Sequence, residues 1–425
     1  MAYAAAHVRA KDVDAALARA LSPGQDVVIG QAFGAPRSLL AALPRHRDRL
    51  RGSRVFVGMM LGDLPELPGA ALRTFFPSGP LGTTQALAAH GAVYERLSLY
   101  ALASGLRSGA ISADVVLCAG TPVRDDGSAS LGVTVDYVGP AVARAATVVL
   151  ETHPSMPWTG AGSVVEPGGE LIAVEAADGP IVLDRTPSDR DVALAGAVAG
   201  WIEDGATLQL GMGPWVGALA HLLRRRRGLR VHTGLISDWL MDLEAAGALA
   251  ADAPAIGTGA AGTAAFYRWL DGHPAVELRA ADRTHAPEAL AALPRLTAVN
   301  SVLEVDLLGR ANSEIGRNGR RGGVAGLSDF AAGAARNADG LSIIALPSTV
   351  GRASRIVARL PEHAVSLPAE AIDVVVTEHG AADLRGLDDC ARANALLAIA
   401  APEHREPLIA DVRAIHHLTH PVQGR

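Results

Sequence analysis

Aromatic side chains are scarce in this sequence, at 4% of residues, so the core has to be built from Ala, Val, Leu and Ile. Cysteine is scarcer still. Cys118 and Cys390 are too few for a disulfide framework, or for a four-ligand zinc site without histidines at matching spacing, which points to a reducing cytoplasm and to no metal. Positive charge is not in excess: acidic residues outnumber basic ones by 44 to 38, so no global positive field is available to hold a nucleic acid. Long apolar runs are missing too, and nothing approaches a membrane span. The Ala-rich N-terminus from Met1 to Leu21, broken by Arg9, Lys11, Asp12 and Asp14, reads as a short amphipathic helix rather than a signal peptide. The expectation is a soluble, unprocessed protein.

What is present is aliphatic and rich in turns. Apolar residues make up 49%, and 46 Gly and 25 Pro interrupt them, over 425 residues that exceed one small core. Self-comparison finds a repeat. Gly24-Gln-Asp-Val-Val-Ile-Gly30 is echoed by Gly205-Ala-Thr-Leu-Gln-Leu-Gly211, and Arg51-Gly-Ser-Arg-Val-Phe-Val-Gly58 by Arg227-Gly-Leu-Arg-Val-His-Thr-Gly234, at an offset of roughly 180 residues. A Gly or Pro turn and an Ala/Leu-rich helix follow both members of the first pair, Arg37 to Leu43 and Val216 to Leu223. Strand, glycine turn, helix and strand in this order demand parallel strands. Two similar open α/β domains follow, 1–184 and 185–425, joined at the polar Leu183-Asp-Arg-Thr-Pro-Ser-Asp189, with Gly24 to Leu64 equivalent to Gly205 to Leu240 and a helix over Ala193 to Ile202.

Buried parallel strands are also expected at Ala113 to Ala119, Ala146 to Glu151, Ser342 to Leu346 and Ile372 to Thr377. In open α/β sheets ligands sit beyond the carboxyl ends of strands, which directs attention to the turns there. Leu208-Gln-Leu-Gly-Met-Gly213 runs from strand into a Gly-x-Gly turn, a geometry that aims backbone N–H groups at phosphate. A dinucleotide fingerprint would need a third glycine where Val216 stands, which disfavours a Rossmann dehydrogenase.

Read together and in order, the turns Glu151-Thr-His-Pro-Ser-Met-Pro157, Gly205 to Gly213, Val231-His-Thr-Gly-Leu-Ile-Ser-Asp238, Val299-Asn-Ser-Val-Leu-Glu-Val-Asp-Leu-Leu-Gly309, Gly323-Val-Ala-Gly-Leu-Ser-Asp-Phe330, Ile344-Ala-Leu-Pro-Ser-Thr349 and Val376-Thr-Glu-His-Gly-Ala-Ala-Asp-Leu-Arg-Gly386 resemble the acetyl-CoA hydrolase/CoA-transferase family, which includes 4-hydroxybutyrate and acetate CoA-transferases. The resemblance extends from about Ser22 to about Leu408. It implies two similar α/β domains with the active site between them, coenzyme A as acyl-CoA substrate, a small acceptor and a homo-oligomer. It also implies a mechanism, in which a glutamate carboxylate attacks acyl-CoA to give a mixed anhydride. CoA thiolate returns to form a glutamyl-CoA thioester, and a second carboxylate collects the CoA. That glutamate belongs to a His-Ser/Thr-Glu-Met stretch matching His232-Thr-Gly-Leu235, so its place here is Gly234.

A residue without a side chain cannot replace a carboxylate nucleophile. The other reading of Gly234 is a strand end where backbone approaches a neighbour, as at Gly58 in the first repeat. A second departure is Ala325, in a loop that the resemblance makes Gly-x-Gly-Gly and that contacts CoA. Gly211, Gly213, Gly323, Ala325 and Gly326 are accordingly the candidate CoA-binding positions.

Around them, His232 is either a general base on water or a structural hydrogen-bonding residue. Glu304 and Asn300 match family positions near the site. Glu304 either orients water or an acceptor, or pairs with an arginine. Glu378 is read as supporting the glycine-rich loops, and Asp383 with Arg385 as a paired turn. Arg224 to Arg227, placed in the last turn of a helix ending at Gly228, either attract CoA phosphates or complement the helix dipole, the latter being the simpler reading. Cys118 and Cys390 read as packing. Trp158, Trp215 and Trp239 either line an acyl pocket or pack between domains. Three functions result: thioester hydrolysis or direct acyl transfer without a glutamyl-CoA intermediate, a ping-pong CoA-transferase using another acid such as Glu304, and a non-catalytic acyl-CoA binder.

Overall fold

Short runs of Val, Ile and Leu that are buried on both faces become parallel strands, and helices carry the chain back between them. A computed structural model describes residues 7–61, 64–75, 87, 91–184, 186–317 and 319–414. Eight parallel strands form one sheet, in the order His7–Arg9, Glu170–Glu175, Thr147–Thr152, Val115–Gly120, Asp26–Ile29, Arg54–Val57, Ala71–Thr74 and Val93–Tyr94. A second sheet of six follows the order Arg230–Val231, Thr207–Leu210, Leu296–Asn300, Leu341–Ala345, Val374–Thr377 and Gly380–Asp383, with only the last strand antiparallel.

The repeat is visible in the register. Val55 lies beside Val27, which has Val115 on its other side. Val231 lies beside Leu208, which has Thr297 on its other side. Val55 and Val231 therefore occupy equivalent strands. The expected buried strands form within a residue or two of their predicted bounds, and the helices Arg37–Ala42 and Pro214–Leu223 follow the paired glycine turns.

Two local expectations are corrected. The N-terminal helix covers only Val13–Ala20, because Asp12 caps it by accepting from the amide of Ala15. Ahead of it His7–Arg9 is an edge strand parallel to Leu171–Ala173, and residues 1–6 lie outside the described residues. The arginine run is not in a helix either. The helix stops at Leu223, and Arg226 beyond it donates to the carbonyl of Ala199, the last residue of the helix Asp189–Ala199. A cation there complements the dipole of that neighbouring helix. Among the described residues, no helix is long and apolar enough to cross a membrane.

The two sheets share a core. One continuous buried cluster runs from Val28, Phe56 and Tyr137 to Phe266, Val299 and Val376. Backbone joins the halves as well: Val135 N donates to Thr258 O at 2.9 Å, Ala260 N to Val133 O at 2.8 Å and Ala281 N to Asp136 O at 2.9 Å. At the other end of the contact Ser98 bridges Ala325, and the amide of Tyr100 donates to Asp329 at 3.0 Å. Glu314, 1% exposed, is a third tie. It accepts from Tyr94 and Arg96 of the first half and from Arg320 and Ser366 of the second. Burial pushes its carboxyl up, but the bonds from Arg96, Tyr94 and Ser366 outweigh that and hold it below the usual carboxylate range.

Glu314→Ala should destabilise the protein by about 3 kcal/mol, since it strands the Arg96 and Arg320 charges; the figure sits at the low end for broken buried pairs because Arg96 remains half in water. Chemical denaturation of the variant checks this, and a loss below about 1 kcal/mol would count against Glu314 as a tie. Asp329 gives a pH test. Burial raises its carboxyl from 3.8 to about 6, against hydrogen bonds from Ser98, Tyr100 and Leu99. A raised folded value contributes stability in full below the unfolded value, and that contribution is lost as pH rises through the folded one. Asp329→Asn should therefore gain stability relative to the parent between pH of about 4 and about 6, read from paired melting curves.

Candidate active site

After the strand Arg230–Val231 the chain turns, and three groups fix it. Thr233 Oγ1 donates to Leu210 O at 2.9 Å. The carbonyl of Gly234 accepts from Thr258 Oγ1 at 2.6 Å and from the amides of Thr258 and Gly259 at 3.3 and 3.0 Å. Gly234 itself is not in the left-handed region. Among the described residues, a Cβ built on it would meet only His285 Nε2 at 3.9 Å and Phe330 at 4.0 Å, ordinary contact distances. Gly58, its counterpart, is different: a Cβ there would overlap the side chain of Gln31 and the hydroxyl of Tyr137. Packing requires glycine at 58 and does not require it at 234.

His232 lies on the same side, its ring edge-on to Phe330 at a centroid distance of 6.4 Å. Its Nε2 is 2.7 Å from the carbonyl of Thr284. A carbonyl only accepts, so Nε2 carries the proton. Burial, offset in part by this bond, lowers the pKa of His232, and Arg279 lowers it further, so the ring is neutral near pH 7. The next residue, His285, places its ring 4.6 Å from that of Phe330 and its Nδ1 2.8 Å from Thr284 Oγ1. Sequence reading missed His285. An isolated histidine after a threonine carries no signal, and its neighbours come from distant segments.

Gly326 closes the other side. A Cβ on it would come within 2.8 Å of His285 Nε2, so glycine is needed. Ala325, at the start of the helix Ala325–Arg336, holds φ at 38°, a region that favours glycine. Gly323 accepts from Ser313 Oγ at 3.2 Å. The Cβ positions of Gly234 and Gly326 thus both meet the ring of His285, with His232 and Phe330 packed nearby.

The other predicted residues have different surroundings. Asn300 and Gln209 exchange hydrogen bonds between neighbouring strands, at 3.0 and 3.3 Å, which occupies the Asn300 amide. Glu304 accepts from Asn312 Nδ2 at 3.1 Å and makes no ion pair among the described residues. Arg355 donates to the carbonyl of Leu303, its pKa lowered first by burial and raised in part by Glu304 and Glu378. Glu378 is fully engaged: Arg190 donates to it, and Ser348 does so through both its amide, at 2.7 Å, and its hydroxyl, at 2.9 Å. Asp383 and Arg385 pair within their turn. Burial pushes the Cys118 thiol up to about 12.

Gly211 and Gly213 line a cavity of about 540 Å³, together with Met212, Val216, Leu235 and Trp239. Leu235, which lines it, follows Gly234 in the chain. Trp215 packs in the core instead, and Trp158 stacks under Arg124.

Comparison with known proteins agrees with this architecture. Residues 262–412 match the acetyl-CoA hydrolase/transferase C-terminal domain. The chain is 32% identical over 402 residues to the 4-hydroxybutyrate coenzyme A transferase of Clostridium kluyveri, covering 91% of this chain and 93% of that protein. It is 27% identical over 346 residues to an acetyl-CoA hydrolase of Neurospora crassa, covering 70% and 64%. Among solved structures, the 4-hydroxybutyrate CoA-transferase of Porphyromonas gingivalis superposes with a TM-score of 0.78 at 28% identity, covering 96% of this chain and 98% of that one. RipA from Yersinia pestis gives 0.83 at 25%, covering 97% and 98%. With near-complete coverage of a relative at this identity, the chain belongs to the acetyl-CoA hydrolase/CoA-transferase family.

Proposed function

We propose that the protein cleaves an acyl-CoA thioester by hydrolysis or by direct acyl transfer to a nucleophilic acceptor, without a glutamyl-CoA intermediate, in a site between the units 1–184 and 185–425. The observation that carries this reading is position 234 itself, where no carboxylate lies within 4 Å of the Cβ position among the described residues. Family membership supports the thioester; relatives include both transferases and acetyl-CoA hydrolases. The acceptor oxygen attacks the carbonyl carbon, the C–S bond breaks with its electron pair on sulfur, and CoA leaves after taking up the acceptor's proton.

CoA is assigned to the turns at Gly211 to Gly213 and Gly323 to Gly326, whose backbone N–H groups can approach phosphate or thioester oxygen closely. The cavity that Leu235 and Trp239 line suits an acyl group bulkier than acetyl. His232, Asn300 and Glu378, each engaged by a protein partner, hold the surroundings in place. Glu304 is the acid with most capacity to spare, and it is the residue through which a ping-pong route would have to run.

CoA release from acyl-CoA should proceed without a carboxylate acceptor. Trapping with hydroxylamine or borohydride should leave a chain of unmodified intact mass, whereas a CoA or acyl adduct on Glu304 or another acid would restore the ping-pong reading. No CoA release with or without acceptor would leave only a binder. Gly234→Glu should fold, since among the described residues a Cβ at 234 meets nothing closer than ordinary contact distance. It should also gain CoA transfer to a carboxylate acceptor, measured as acceptor-dependent formation of the new thioester. A folded variant without that gain would argue against position 234 as the nucleophile position.

A further inference from the structure

Just ahead of the turn at Gly323 to Gly326 the chain carries three arginines within five residues, Arg317, Arg320 and Arg321. A short antiparallel hairpin presents them, with Ile315 opposite Arg320 and Gly316 opposite Gly319. Its base is fixed. Asn312, 1% exposed, donates to the carbonyl of Ile315 at 2.7 Å and accepts from the amides of Glu314 and Ile315 at 3.0 and 2.9 Å. On the returning side the amides of Arg321 and Gly322 donate to the carbonyl of Glu314, at 2.7 and 3.2 Å.

The three arginines have different duties. Arg320 belongs to the framework, since its guanidinium stacks on Tyr94 at 3.9 Å and donates to Glu314 at 2.9 Å. Arg96, Tyr94 and Ser366 take up the rest of that carboxylate. Arg317 is exposed at the hairpin tip and Arg321 is half-buried, and neither guanidinium has a hydrogen bond or ion pair among the described residues. Side chains alternate across a strand, so Arg321 leaves on the face opposite Arg320. Gly316 lies on that face: a Cβ on it would come within 2.7 Å of Arg321 Cγ, so glycine lets the arginine stem lie against the hairpin. Over the facing Gly319 a Cβ would meet nothing within 4 Å among the described residues. Two glycines thus leave one face bare beside two uncommitted positive charges, in a chain whose net charge is −6. The run Arg224 to Arg227 is more occupied, because Arg226 and Arg227 donate to backbone carbonyls.

We propose that the hairpin Ile315 to Arg321 binds the phosphate groups of CoA, with Arg317 and Arg321 as the residues that pair with them. The assignment rests on the acyl-CoA reading above and adds where the charged end of that substrate is held. CoA is a long molecule whose pantetheine arm separates the thioester from the diphosphate and the ribose phosphate. Groups that bind the phosphates therefore belong beside the turn that meets the thioester, not in it. Arg321 stands five residues before Gly326, at most about 18 Å of extended chain. A planar guanidinium matches phosphate oxygens with two parallel N–H bonds, and a site at the surface lets the ligand keep the rest of its hydration.

The double variant Arg317→Gln/Arg321→Gln keeps much of each stem and removes both charges. By calorimetry its affinity for a non-cleavable CoA thioether should fall about tenfold or more, and rising ionic strength should weaken the parent more steeply than the variant. A pantetheine thioether with the same acyl group lacks the phosphates and should bind parent and variant within about twofold. A CoA thioether affinity within about threefold of the parent, or an equal loss for both ligands, would overturn the proposal. A measurement on the unaltered protein guards against a variant that fails to fold. The parent should bind the CoA thioether about tenfold or more tighter than the pantetheine thioether, and equal affinities would overturn the proposal. A parent that shows this arginine-dependent binding and cleaves no thioester would sink the cleavage reading and leave the phosphate site standing. A parent that binds no CoA thioether would overturn both.

Discussion

The carbonyl of Gly234 is the point on which the two halves and the site depend together. Three donors from Thr258 and Gly259 hold it. The stretch that supplies them is itself stitched to Val133, Val135 and Asp136 of the first half. A turn that would otherwise be a free strand end thus becomes part of a backbone network crossing the junction. A network of this kind gives position without side-chain entropy cost, since the groups it orders are already fixed by the sheets. Ser98 and Tyr100 do the same for the Gly326 side by meeting Ala325 and Asp329.

Electrostatics divides along the same junction. The Glu314 carboxylate is surrounded by donors and stays ionised, while Asp329 and Asp136 are buried with fewer compensating bonds and are pushed up to about 6. Beside Gly234 and Gly326, by contrast, burial keeps the His232 and His285 imidazoles uncharged next to Phe330.

Much of this was legible in the sequence because it rests on local pattern. Paired glycine turns and β-branched runs are short-range signals, and they specify parallel strands whose order then follows from the repeat. Alanine-rich periodicity overextends the N-terminal helix, because it runs on beyond the point where Asp12 caps it. Glu314 and His285 were not legible at all. Tyr94 and Arg96 stand 220 and 218 residues before Glu314, and His285 meets Gly234 on one side and Gly326 with Phe330 on the other. Contacts of that separation leave no periodicity to read. The motif residues Asn300 and Glu378 were found, but pattern alone did not reveal that Gln209, Ser348 and Arg190 already occupy their polar atoms.

The contrast between Gly58 and Gly234 breaks the symmetry of the repeat. Duplicated halves offer the same turn twice, and symmetry alone would suggest two equivalent pockets in each chain. In the first half Gln31 and Tyr137 fill that space, and Tyr137 anchors there by donating to the carbonyl of Ile29 at 2.6 Å. The Gln31 amide is in turn bound to Asp136, at the backbone junction itself. One copy of the turn has been turned into mortar for the interface, and the other has been left hollow. The architecture is twofold, yet of the two equivalent turns only the second has room for a side chain at its glycine among the described residues.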